Sequence, residues 1–286
     1  MTVASGVDLR PLTRPEASAA ARLSEAVGWN QNQTDWERLM TLHPRGALGA
    51  WSGSNLLGTA TLVSYGRQAA WLGMVIVAPS ARGRGLGSLL VDAALATSDL
   101  TDDAVIGLDA TEFGSPLYER RGFEQVALID RWSGVLAHVQ HGSGAATRRA
   151  GPSDAKQLAA FDLAASGLDR SRLLAQFLSE PTTTVVVAED GAGVGGYGVL
   201  RSGLKRSHLG PLVASSDEAL TAVVAALAVV AANAPIYLDA VRRPGTTQQL
   251  EGFGLSVSRT LWRMTRPARP VMNGDAVVAA TAFEWG

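Results

Sequence analysis

The sequence predicts a duplicated α/β fold, two domains in tandem, each built from alternating strands and helices. Three observations carry this. The 286 residues exceed a single typical domain of roughly 100–150, and with 47% apolar and 18% charged side chains each half can bury a core. Strand and helix signals alternate along the chain. The second half then repeats landmarks of the first.

Val7 to Leu9 reads as a short strand, and Thr13-Arg14-Pro15-Glu16 opens a helix with Thr13 as cap and Glu16 closing a capping box. Thr34-Asp35-Trp36-Glu37 carries the same signature for a second helix. Ala47 to Trp51, Leu56 to Tyr65 and Ala70 to Val77 are three successive strands. A glycine-rich turn leads into a helix from Leu86 to Ala96, with Leu89, Leu90, Ala93 and Ala94 at helical spacing. Val105 to Ala110 is a strand, Pro116 to Arg121 a short helix, and Phe123 to Val139 strand-rich; residues 141–146 have linker composition.

Leu108-Asp109-Ala110 recurs 130 residues later as Leu238-Asp239-Ala240. The same offset pairs Gly122-Phe123 with Gly252-Phe253 and Trp132 with Trp262, and Leu72-Gly73 matches Leu209-Gly210. Thr147-Arg148-Arg149 before a Ser153-capped helix mirrors the chain start. The expected boundaries are residues 1–140, residues 147–267 and a tail of residues 268–286, in which Phe283 and Trp285 can dock on either domain. The apolar run Ala219 to Ala232 (Val223, Val224, Leu227, Val229, Val230) predicts a helix buried on several sides.

Other features exclude function classes. A net charge of −1 gives no pull toward nucleic acid or anionic lipid. With no cysteine there are no disulfides, thiolate zinc sites or cysteine nucleophiles. Residues 1–6 lack a basic start before an apolar block, and Ala219–Ala232 is too short to span a bilayer. A soluble, cytoplasmic protein is expected.

The sharpest local signal is Arg82-Gly83-Arg84-Gly85-Leu86-Gly87-Ser88. Three alternate glycines between a strand and a helix let backbone N–H groups converge without Cβ atoms in the way. The helix start and two arginines add positive charge, which suits a pyrophosphate. No Gly-Lys-Ser/Thr ending exists for a P-loop. A dinucleotide fingerprint fits Gly83 and Gly85 with Asp103 as ribose acid, but its third position is Ser88, and Pro79 to Arg82 separate it from the strand. The segment resembles the R/Q-x-x-G-x-G/A loop of the GNAT acyltransferases. Leu108 to Phe123 is similar to that family's later motif, with Leu117-Tyr118 and Gly122-Phe123 as its specific part and Thr111 where many members carry Asn.

The resemblance implies two tandem GNAT-like domains, the second degenerate, each a mixed, mostly antiparallel sheet flanked by helices. It also implies acetyl transfer from acetyl-CoA to a primary amine of a small molecule. Val75, Ile76 and Val77 would pair with the pantetheine arm, Arg82 to Ser88 would anchor the pyrophosphate, and Tyr118 would protonate the leaving thiolate. Trp29, Asn30 and Trp36 fall where the acceptor side of the cleft is covered. No metal is expected; His138 and His141 lie near each other but form no ligand pair.

The repeat is an internal control. Asp109, matched by Asp239, reads as structural. The counterpart of the glycine turn, Val213-Ala214-Ser215-Ser216-Asp217-Glu218, has no glycine and two carboxylates, and Tyr118 aligns with Gln248. One acyl-CoA per chain is therefore expected. Glu112, aligned with Arg242, is the favoured base, with Asp35, Glu37, His43 and Tyr65 as rivals. The alternative function is a non-catalytic acyl-CoA-binding sensor or scaffold.

Overall fold

The structure, a computed structural model, describes residues 6–137, 145–191, 193–272 and 276–286. The first repeat runs β1 (Asp8–Pro11), α1 (Ala17–Ala26), α2 (Gln33–Leu42), β2 (Ala47–Ser52), β3 (Asn55–Tyr65), β4 (Ala69–Val77), α3 (Leu86–Ala96), β5 (Val105–Ala110), α4 (Ser115–Glu119), β6 (Glu124–Gly134). The second keeps this order: β7 (Ala146–Arg149), α5 (Ala155–Ser166), α6 (Ser171–Ser179), β8 (Thr183–Asp190), β9 (Gly193–Arg201), β10 (Ser207–Ala214), α7 (Asp217–Ala231), β11 (Ile236–Val241), α8 (Thr246–Gly252), β12 (Leu255–Arg266). A last strand, β13 (Val277–Ala279), follows.

Two compact units result, and they cut across the repeat boundaries. Unit 1 is Met1–Glu124 with Met264–Val271 and Trp285; unit 2 is Gln125–Arg263 with Met272–Glu284 and Gly286. The reason is pairing. β6, last strand of the first repeat, runs antiparallel to β11 with Trp132 opposite Leu238. In unit 1, Arg266 donates to the Arg121 carbonyl at 3.0 Å and lies 5.2 Å over the Phe123 ring.

Unit 1 orders its strands β1-β2-β3-β4-β5, antiparallel except for β4 with β5. Leu86, Leu90, Val91 and Ala94 form the buried stripe of α3, which packs on β3 and β4. The Thr13–Glu16 capping box is present, and it opens a short 3₁₀ turn ahead of α1. Arg10, the largest cause, together with Thr13, holds the Glu16 carboxyl down at about 2. The second box sits two residues earlier than expected. Asn32 Oδ1 accepts from the Asp35 N–H and Asp35 accepts from the Asn32 N–H, both at 3.0 Å, so Asn32 displaces Thr34 as cap.

Unit 2 orders its strands β6-β11-β10-β9-β8-β7, with β12 beside β6 and β13 on β10. α7 lies against β8, β9 and β10 through Leu220, Val223, Val224 and Leu227. Val229 and Val230, counted in the run expected to be buried on several sides, are exposed, because the sheet covers only one side of the helix. Asp239, the counterpart of Asp109, is structural: Arg131 grips it bidentately at 2.8 and 2.7 Å in the interior.

Candidate functional site

β4 and β5 separate beside the glycine turn. Their parallel ladder covers only Ala69–Trp71 against Val105–Gly107, although β4 continues to Val77 and β5 to Ala110. A β-bulge lies at the point of departure. Thr59 faces Ile76 while Thr61 faces Gly73, so Met74 and Val75 together oppose Ala60. Met74 adopts φ +49°, and Thr59 Oγ1 donates to its carbonyl at 2.8 Å. The backbone of Met74–Val77 on the β5 side is thus outside the ladder. Ile76 is buried, whereas Val75 and Val77 are half-buried.

The turn that follows ends on α3. Gly85 caps the helix at φ +76°, a left-handed position that demands glycine. The Leu89 N–H, bonded to the Gly85 carbonyl at 3.1 Å, is the first to find a helical acceptor, so the amides of Leu86, Gly87 and Ser88 face outward from the helix start. A Cβ on Gly87 would meet only Val77 at 3.6 Å and Leu117 at 3.8 Å, which places this residue at the space between β4 and α4. Arg82 and Arg84 are exposed, and Arg82 Nε donates to the Val77 carbonyl at 3.2 Å. Leu86 is core. The Ser88 hydroxyl accepts from Arg121 Nη2, which also reaches the Ser88 carbonyl at 3.1 Å.

α4 brings Tyr118 to this end of the sheet. Its ring is buried edge-on to Phe123, with centroids 6.2 Å apart, and burial pushes the phenol up to about 12, Arg121 pulling weakly the other way. At neutral pH it holds its proton. Thr111 accepts the Gly114 N–H at 3.0 Å, a local cap for the turn into α4. Glu112 and Phe113 are exposed in that turn.

The three acceptor-side residues divide. Trp36 is fully buried and donates through Nε1 to Ser24 Oγ at 3.0 Å, so its ring packs α2 onto α1. Asn30 is buried and already partnered. Trp29 alone of the three is half-exposed. Among the rival bases, Asp35 is buried against Arg38 at 2.7 Å, while Tyr65 donates to the Trp285 carbonyl and His43 lies 6.2 Å from the Trp285 ring.

His138 and His141 lie outside the described residues, as do residues 1–5 and most of the expected linker. Among the described residues there is no group of three or more His, Asp or Glu able to hold a metal, and no helix long and apolar enough to cross a membrane. Sequence reasoning missed Met74 and Arg121. The first carries no signature in one strand alone, and the second sits in a basic pair that reads as solvated surface.

Comparison with known families finds an acetyltransferase (GNAT) domain at residues 45–125 and another at residues 158–276. The chain belongs to the GNAT superfamily, in tandem form. An uncharacterized N-acetyltransferase, YitH, of Bacillus subtilis is 27% identical over 77% of this chain and 78% of its own. The holothin acyltransferase of a Pseudoalteromonas species is 25% identical over 97% and 94%. A putative acetyltransferase from Pyrococcus horikoshii shares the fold, with a TM-score of 0.82 and 18% identity over 100% of this chain and 98% of that one. This GNAT protein is an α/β molecule with acyl transfer as its family chemistry.

Proposed function

We propose that unit 1 transfers an acetyl group from acetyl-CoA to a primary amine of a small molecule. The observation that carries this is the opening between β4 and β5 at the Met74 bulge, directly beside the glycine turn. Acetyl-CoA supplies the activated acyl thioester. The residues fit it: the amides of Leu86, Gly87 and Ser88, with Gly83, Gly85, Arg82 and Arg84, form a cationic cradle for a pyrophosphate. Val75, Ile76 and Val77 offer the backbone edge on their β5 side to an extended pantetheine arm, and an N–H from this stretch can polarise the acyl carbonyl.

The acceptor amine attacks the carbonyl carbon, the carbon–sulfur bond breaks, and Tyr118 gives its proton to the departing thiolate. Its raised pKa keeps the phenol protonated at neutral pH, so a proton is in place for the leaving thiolate and Tyr118 is not the base. Glu112, or a water it holds, takes the proton shed by the amine. Trp29 and Asn30 border the acceptor from the connection between α1 and α2, and Trp36 braces these two helices against each other. The holothin-acting relative supports a small-molecule acceptor. No nucleic-acid or membrane partner is part of this reading.

Incubation with acetyl-CoA and a panel of amines, followed by thiol detection, tests it. Thiol release that depends on an amine is expected. Calorimetric binding of acetyl-CoA with no turnover on any amine would favour the non-catalytic sensor instead.

A further inference from the structure

Unit 2 repeats the strand opening of unit 1, and the chain itself fills it. The parallel ladder of β10 and β11 covers only Ser207–Leu209 against Ile236–Leu238, while β10 runs on to Ala214 and β11 to Val241. A register shift between Leu209 and Leu212 matches the bulge of β4. Into this opening comes β13. It pairs antiparallel with β10, Leu212 opposite Ala279 and Val213 opposite Val277. The Ala214 N–H of β10 also donates to the Ala276 carbonyl at 2.9 Å, and on the other side the Ala280 N–H donates to the Asp239 carbonyl of β11 at 2.8 Å.

The fit extends past hydrogen bonding. A Cβ on Gly210 would lie 2.2 Å from the Ala280 carbonyl oxygen and 2.9 Å from that of Thr281, so the tail backbone occupies the space a side chain would take. Two interior arginines hold the next residue: Arg170 Nη1 donates to Thr281 Oγ1 at 3.1 Å, and Arg201 Nη1 to the Thr281 carbonyl at 3.1 Å. Arg170 is itself fixed by Asp162, and Arg201 lies 3.5 Å from Glu284. Ala279, Ala280, Thr281, Ala282 and Glu284 are all buried.

We infer that the β10–β11 opening of unit 2 is a strand-accepting groove whose resident ligand is the chain's own residues 276–284. Its occupant class is an extended peptide of small residues, bound by strand addition. The comparison with the β4–β5 opening rests on the acyl-CoA reading of unit 1; the groove and its occupant do not.

A protease site inserted after Met272 of the full chain lets the folded protein be cut, leaving the tail held by non-covalent contacts alone. The cut tail is expected to co-elute with the body. A fluorescent synthetic peptide of residues 276–286 is expected to exchange into it and raise its Tm. The peptide with Ala280→Pro lacks the donor to Asp239, and the one with Thr281→Val lacks the acceptor for Arg170; each is expected to bind at least about tenfold more weakly. A body that sheds the tail with unchanged Tm, or takes both variants as well as the native peptide, overturns the inference. Hydrogen exchange on the uncut protein covers the case of a cut body that unfolds: the Ala280 amide should exchange as slowly as those of β10, and exchange at the rate of a free terminus overturns it. With the tail displaced, coenzyme A should still bind once per chain. A second site appearing in the emptied groove refutes the peptide assignment, whereas no coenzyme A binding at all, with peptide exchange intact, refutes only the acyl-CoA reading of unit 1.

Discussion

Arg121 holds Asp92 through two hydrogen bonds, Nε to Oδ1 at 2.6 Å and Nη2 to Oδ2 at 2.8 Å. Its Nη1 meanwhile binds the Leu117 carbonyl of α4 at 2.6 Å. One guanidinium therefore ties the tyrosine-bearing helix to the helix that would face the pyrophosphate, and it depresses the Asp92 pKa. Arg121→Leu should raise the KM for acetyl-CoA several-fold and leave kcat within about threefold, because it positions the cradle and touches no reacting atom. Stability should fall by about 1 kcal/mol, the Asp92 side being largely in water. An unchanged KM in steady-state kinetics would detach this clamp from the site.

Gly87→Asp is the cleaner test of the glycine turn. Gly85 sits at φ +76°, so any replacement there strains the backbone as well as the ligand site. Gly87 has room for a Cβ, so its variant should fold with a near-normal Tm. A carboxylate roughly 6 Å from a phosphate should cost on the order of 100-fold in coenzyme A affinity. Calorimetry giving wild-type affinity in the folded variant would remove the cofactor from this turn.

Tyr118→Phe should lower kcat by about 10²–10⁴-fold while acetyl-CoA binding stays near normal. With the phenol at about 12, no alkaline loss of kcat assignable to this group should appear below roughly pH 11. An unchanged kcat, with chemistry shown to be rate-limiting, would leave Tyr118 as packing against Phe123.

His208 gives unit 2 a pH dependence. Burial, then Arg201 and Arg131, hold its pKa well below the ordinary value, despite Asp239 at 3.8 Å. The folded state resists a proton that the unfolded chain accepts near pH 6.5. Stability is therefore full above that value and falls as the pH drops below it, by at most about 1.4 kcal/mol per pH unit. Thermal melts from pH 8 to 5.5 should show a shallower decline in His208→Gln, and equal slopes would exclude His208 as the cause.

The sheet-building landmarks were legible because they are local and duplicated. Leu108-Asp109-Ala110 and Leu238-Asp239-Ala240 fall on β5 and β11, and the glycine turn falls between β4 and α3. What stayed hidden depends on partners distant in sequence. The Met74 bulge exists only relative to β3, and β6 reads as a strand with no sign that β11 receives it. Val277-Val278-Ala279 is too short to signal a strand until the opening beside β10 is known. Thr34 and Asn32 both satisfy the rules for a cap, and only the reciprocal bonds to Asp35 decide between them.

The make-up of unit 1 has a consequence for biosynthesis. Met264–Val271 and Trp285 belong to it, and Trp285 is fully buried beside His43 and Tyr65. Residues translated after the whole second repeat core thus complete the unit that the first repeat begins. Nascent chains halted after the first repeat lack these pieces and cannot finish their own interior, so a prematurely terminated product should be cleared as unfolded and never act as a half-sized enzyme.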